Sequence, residues 1–111
     1  MKLPNGDRAI VDIVKLRDYC LSQEHPRGRH KARVFVAALG MTTADADELR
    51  QLLLANAAAT EAHPAMRDEY GERYVLDFEV ARGAWTARVR SAWIVRPGED
   101  APRLTSCYVL D

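Results

Sequence analysis

The sequence predicts an α+β domain in which N-terminal helices pack on one face of a C-terminal antiparallel β-meander. Three observations carry that prediction. Apolar residues recur at helical spacing up to about residue 60, they alternate with polar ones from about residue 70, and turn signals at Arg82-Gly83 and Pro97-Gly98 divide the alternating part into hairpin-linked strands. The 111 residues are one domain's worth of chain, so residues 1–111 are expected to share a single core.

Leu3-Pro4-Asn5-Gly6 contains an Asn-Gly turn signal, and Ala9, Ile10 and Val11 after it have the make-up of a short strand. Ile13, Leu16, Arg17 and Cys20 fall at helical spacing, with Tyr19 and Leu21 widening the apolar face, which predicts a short helix from Asp12 to about Leu21. Ser22 to Gly28 reads as a loop, because Pro26 lacks an N–H and restricts the residue before it. From Arg29 onward Ala32, Phe35, Val36 and Leu39 occupy one helical face, and Gly40 stands where a C-terminal cap is wanted. Thr42-x-x-Asp45 has the form of a capping box, and Asp45, Asp47 and Glu48 suit the positive end of the next helix. Leu49, Leu52 and Leu53 carry that helix to about Ala58.

Glu61 to Gly71 is polar, contains His63-Pro64 and is expected to be a loop. Tyr74, Leu76, Phe78 and Val80 then alternate with Arg73, Asp77 and Glu79, the period of a strand with one wet face. Trp85 to Val95 is predicted as the second strand and Leu104 to Leu110 as the third. On the second strand, Trp85, Ala87, Val89, Ser91, Trp93 and Val95 share a face expected to meet the helices, while Thr86, Arg88, Arg90, Ala92, Ile94 and Arg96 form a cationic face. Whether Thr105 and Cys107 or Ser106 and Tyr108 adjoin the cationic face depends on a register that spacing leaves open.

Sixteen basic and sixteen acidic residues cancel, so any site for a polyanion has to be local. No apolar run approaches the length of a membrane-spanning helix and the N-terminus lacks the regions of a signal peptide, so the expected setting is the cytoplasm, with no membrane partner. Cys20 and Cys107 are too few for a disulfide scaffold or a zinc set; two buried thiols are expected, with no metal and no cofactor. The phosphate-loop, dinucleotide, zinc-protease, hydrolase-elbow and CxxC motifs do not occur.

The chemistry concentrates in His25-Pro26-Arg27-Gly28-Arg29-His30-Lys31-Ala32-Arg33, two histidines and four cations, with no acid from there to Asp45. This run spans a loop and a helix start, where backbone N–H groups and the helix dipole favour an anion. A histidine able to exchange a proton near neutrality, beside cations able to hold a phosphate, matches the needs of metal-independent RNA cleavage. His30 is the first candidate for acid or base, Lys31 stands beside it, and His25, Arg27, Arg29 and Arg33 are candidates for substrate binding. A second constellation lies in the strands. Arg90 has a planar donor fork for a phosphate, and Thr105, Ser106 and Tyr108 supply hydroxyls to orient one. Trp85 and Trp93 have the shape to stack bases, but their apolar strand face makes them core candidates. The competing reading is a non-catalytic module that binds RNA or a protein through the 25–33 patch.

The block from Lys15 to Ser22, the stretch His25 to Phe35, and Ala38-Leu39-Gly40 together resemble a small bacterial domain of unknown function whose signature runs DYLLSxxHPxGxHKAxxF. Tyr70-Gly71-x-Arg73-Tyr74, Arg90-Ser91-x-Trp93-Ile94-Val95 and Pro102-Arg103-Leu104-Thr105-Ser106-x-Tyr108 continue the resemblance. Cys20 stands where the block usually has Leu. That domain is similar to bacterial toxin modules grouped with the barnase, EndoU, colicin and RelE-like ribonucleases. The resemblance implies helices against an antiparallel sheet, metal-free cleavage of an RNA substrate, and a cognate antitoxin or immunity protein as partner. It also implies that His30 and Lys31 are the helix-borne basic residues of the site, Thr105 and Tyr108 its last-strand hydroxyls, and Arg90 a further phosphate ligand.

Overall fold

The computed structural model describes residues 1–110. After a 3-10 turn at Gly6–Arg8, a single helical turn at Ile13–Lys15 (α1) runs directly into a π-helical turn at Leu16–Cys20. Asp12 caps α1 by accepting the Val14 N–H at 2.9 Å. The short helix expected from Asp12 to about Leu21 is thus present as an α turn followed by a π turn.

Helix α2 spans Arg29–Leu39 and α3 spans Ala46–Ala59. Ala32, Phe35 and Leu39 of α2 are buried, as their spacing requires. Gly40 ends α2 with φ 64°, a left-handed conformation that an L side chain resists, and the Trp85 ring fills the space a Cβ would occupy. Thr42 and Asp45 form the anticipated capping box before α3, whose Ala46, Leu49, Leu53 and Ala57 are buried.

Four antiparallel strands follow in the order β1 (His63–Asp68), β2 (Gly71–Arg82), β3 (Trp85–Val95) and β4 (Arg103–Leu110). Strand β1 falls inside the stretch expected to be a loop. Every one of its side chains is exposed, so it leaves no apolar alternation to read; backbone pairing with β2 makes it a strand. Its Pro64 is tolerated because β1 is an edge. The expected short strand at 9–11 is reduced to one parallel bridge between Ile10 and Arg103.

The alternating residues of β2 form the inner face, where Tyr74, Leu76, Phe78 and Val80 meet Val89, Trp93, Leu104, Cys107 and Val109. Helix α2 lies against β2, β3 and β4, while α3 packs on the 3-10 turn and the π turn. Each fully buried Leu or Phe contributes about 1.5–3 kcal/mol of apolar transfer, so this face is the main source of stability. At its centre Ser91 Oγ donates to Leu76 O and accepts from Trp93 Nε1, both at 2.8 Å, which satisfies the buried indole. Trp93 is therefore core and unavailable to a base, whereas Trp85 at the hairpin end is half exposed.

Arg82 joins that hairpin end to the helices. Its guanidinium donates to Leu39 O and Gly40 O at the end of α2 and to Asp45 and Glu48 at the start of α3. Among the described residues no helix is long and apolar enough to cross a membrane.

Candidate functional site

The loop before α2 is built around His25. Its Nδ1 accepts the N–H groups of Arg27 at 3.0 Å and Gly28 at 3.1 Å, and its carbonyl accepts the Arg29 N–H at 2.9 Å. Two backbone donors on Nδ1 assign the ring proton of the neutral imidazole to Nε2. Tyr19 of the π turn meets the ring edge to face, with centroids 4.7 Å apart. Gly28 permits this approach, because a Cβ there would collide with the Tyr19 carbonyl.

Arg27, Arg29, His30 and Arg33 are exposed, and no side chain among the described residues caps α2. None of Arg27, Arg29, Lys31 or Arg33 pairs with a carboxylate among the described residues. Lys31 is half-buried and reaches round the sheet edge to place Nζ 4.7 Å from the centre of the Tyr108 ring.

Tyr108 ends a row of polar groups across the sheet. Asp77 on β2 stands opposite Arg90 on β3, which stands opposite Tyr108 on β4. Arg90 grips Asp77 with both arms, Nε to Oδ1 at 2.8 Å and Nη2 to Oδ2 at 2.9 Å. The pair holds the Asp77 carboxyl below its usual range, and Asp77 with Tyr108 raises the Arg90 guanidinium above its own. Lys31, Arg90 and Tyr108, named separately from the sequence, therefore lie in one continuous row that also contains Asp77.

Thr105 is the extra residue of a bulge. Ala92 pairs with Ser106 and Trp93 with Leu104, leaving Thr105 without a partner on β3. This register sets Ser106 and Tyr108 beside the cationic strand face and sends Cys107 inward. Thr105 Oγ1 donates to Ala92 O at 3.1 Å, and its carbonyl accepts Lys15 Nζ at 3.4 Å. The Ser106 hydroxyl is buried without a partner among the described residues.

Thr105 and His25 face a common pocket of about 470 Å³, lined also by Asp12, Val14, Lys15, Asp18 and Tyr19. His30, Arg27, Arg29 and Arg33 are not among its lining residues. The candidates thus divide into an exposed cationic patch, the row on the sheet, and the pocket that joins His25 to Thr105. Lys15 and Asp18 were missed in the sequence. The spacing of Asp12, Lys15 and Tyr19 along one helical face was the available signal, but the contact of Lys15 with a carbonyl 90 residues away was not.

Cys20 and Cys107 are both buried and unbridged. The Cys107 thiol, as hydrogen-bond partner, lowers the Cys20 thiol, with Lys15 and Lys31 adding to the effect; the same bond and burial raise Cys107. Among the described residues no three or more His, Cys, Asp or Glu side chains are grouped so as to hold a metal ion. No curated protein and no solved structure matches the chain. The model of a family described as a domain of unknown function, DUF6883, matches residues 2–111, and the chain belongs to that family.

Proposed function

We propose that the protein binds RNA along the 25–33 loop and the cationic face of α2 and cleaves it by metal-independent transesterification. In this reading it is a toxin of the kind its sequence resembles, held in check by a cognate antitoxin or immunity protein. The observation that carries the reading is the set of four cations, Arg27, Arg29, Lys31 and Arg33, without carboxylate partners among the described residues of a chain of zero net charge. Cations left free in this way are available to phosphates.

In the reaction a base takes the ribose 2′-OH proton, O2′ attacks phosphorus, the P–O5′ bond breaks and an acid protonates O5′. His30 is the acid or base on the helix, Lys31 and Arg90 stabilise the phosphate, and Thr105 and Tyr108 orient it. A 2′,3′-cyclic phosphate and a free 5′-OH result.

A second reading, a non-catalytic binding module, is favoured by two particulars. Arg90 already has both arms on Asp77, and among the described residues no hydrogen bond orients the exposed His30 ring. Incubation of total RNA with purified protein in excess EDTA decides between them. Cyclic-phosphate ends, lost in a folded His30→Ala variant by the roughly 10²- to 10⁴-fold typical of acid-base groups, support cleavage. Intact RNA at pH 6 to 8, with retained binding, supports the module.

A further inference from the structure

The open depression between α1, the π turn, the His25 loop and β4 brings together an ammonium, an imidazole, two carboxylates and an apolar wall. Lys15 supplies an ammonium whose one bond among the described residues, to the Thr105 carbonyl, is long at 3.4 Å, so its other donors are left open by them. His25 supplies an Nε2–H whose position is fixed, because Nδ1 is committed to two backbone donors and Tyr19 braces the ring. Among the described residues Asp18 engages Arg17 through Oδ1 and has no partner at Oδ2, while Asp12 caps α1 through Oδ1 alone. Tyr19 and Val14, the latter 46% exposed, give the wall an apolar part.

One ammonium, one imidazole N–H donor, two exposed carboxylates and an apolar wall match a ligand with an anion, hydroxyl groups and a flat apolar part. A simple anion leaves the apolar wall of Tyr19 and Val14 unused, and a simple cation meets Lys15. A ribonucleoside phosphate engages both donors, one carboxylate and the wall: phosphate to Lys15 and His25, ribose hydroxyls to Asp18, and the base against Tyr19 and Val14. The depression, of about 470 Å³, opens widely to solvent, so a nucleotide lying in it keeps one side in water.

We propose that this pocket is a ribonucleotide-binding site, with Lys15 and His25 as its phosphate ligands and Asp18 as the group that reads the 2′-OH. The ligand is either a free nucleotide or one nucleotide of an RNA chain running past His25 from the α2 patch. The second case deepens the RNA-cleavage reading, and binding is measured apart from cleavage so that each can fail alone.

The test is titration of the isotope-labelled protein with the four ribonucleoside 5′-monophosphates, their 2′-deoxy counterparts and a short oligoribonucleotide, followed by NMR. The expected result is saturable shifts at Lys15, Tyr19, His25 and Thr105, with affinity reduced about tenfold or more in Lys15→Ala, the scale of a lost charge-assisted bond. Because His25 organises its own loop, His25→Asn is the informative change: it retains an acceptor for the two N–H groups and removes the Nε2 donor. It is expected to weaken binding while leaving the spectrum of the free protein dispersed. Asp18→Asn is expected to reduce the preference for ribo over deoxy ligands. Saturation by mononucleotides identifies the free-nucleotide case; saturation by the oligonucleotide alone identifies the chain-bound case. No shifts at these four residues with either ligand at millimolar concentration, or equal binding by folded Lys15→Ala, overturns the proposal.

Discussion

The arginines of the sheet and those of the α2 region differ in what answers their charge. Arg73, Arg82, Arg90 and Arg103 each meet a carboxylate, Asp68, Asp45 with Glu48, Asp77 and Glu99 respectively, whereas Arg27, Arg29 and Arg33 meet none among the described residues. The cause lies in the chain itself. Strand register places Asp77 across from Arg90, and the hairpin end carries Arg82 to the start of α3, but no acid lies between Glu24 and Asp45 to serve α2. A cation bonded within the protein holds the fold; one left in water is ready for an external phosphate.

The largest expected effect falls on the unpaired set. Replacing Arg27, Arg29 and Arg33 together by Ala should lower RNA affinity by about 10²-fold and flatten the slope of log K against log salt by about 2, as for lost single-strand phosphate contacts. The same variant should melt within about a degree of the wild type, as surface changes do. Fluorescence anisotropy over a salt series and a thermal melt report the two quantities. A large loss of stability with unchanged affinity would reverse the assignment of this set.

Arg82→Ala should show the opposite profile. It removes the donors from two helix-end carbonyls and from two carboxylates, so the melting temperature should fall by several degrees while RNA affinity stays near wild type. Arg82→Lys should restore only part of the loss, since one ammonium cannot reproduce the fork.

The smallest effect concerns pH. Arg90 depresses the Asp77 carboxyl in the folded protein, so the pair contributes stability at pH values above the unfolded carboxyl's range, near 4, and loses it as pH falls through the folded value below that. The difference in urea midpoint between wild type and Asp77→Asn should therefore be constant from neutrality to about pH 5 and shrink below about pH 4. A difference that grows with acid would remove Asp77 from the paired set.

The sequence made some of these features legible and hid others for physical reasons. Helix α2 was readable because Ala32, Phe35 and Leu39 bury one face and Gly40 caps it, and β2 because Tyr74, Leu76, Phe78 and Val80 alternate into the core. Strand β1 was not, since burial gives it no period. The π turn was equally hidden, because a wide apolar face of Leu16, Cys20 and Leu21 suits an α turn as well. For the candidate site, the cations of residues 27–33 were visible as a run without acids. The pocket depended on Lys15 meeting Thr105 across the fold, and the register of β4 on a bulge, neither of which local spacing encodes.

That bulge has an arithmetic of its own. Leu104, Cys107 and Val109 all face the core, although strict alternation cannot place an even and an odd position on the same side; Thr105 supplies the missing half-period. Removing Thr105 alone would set Leu104 and Ser106 consecutively against Trp93 and Ala92, an uninterrupted ladder with every core residue still inward. Removing Tyr108 instead would send Cys107 and Val109 to opposite faces. The sheet can thus be spelled without Thr105, and what such a shortened chain would lose is the carbonyl that anchors Lys15 and one wall of the pocket.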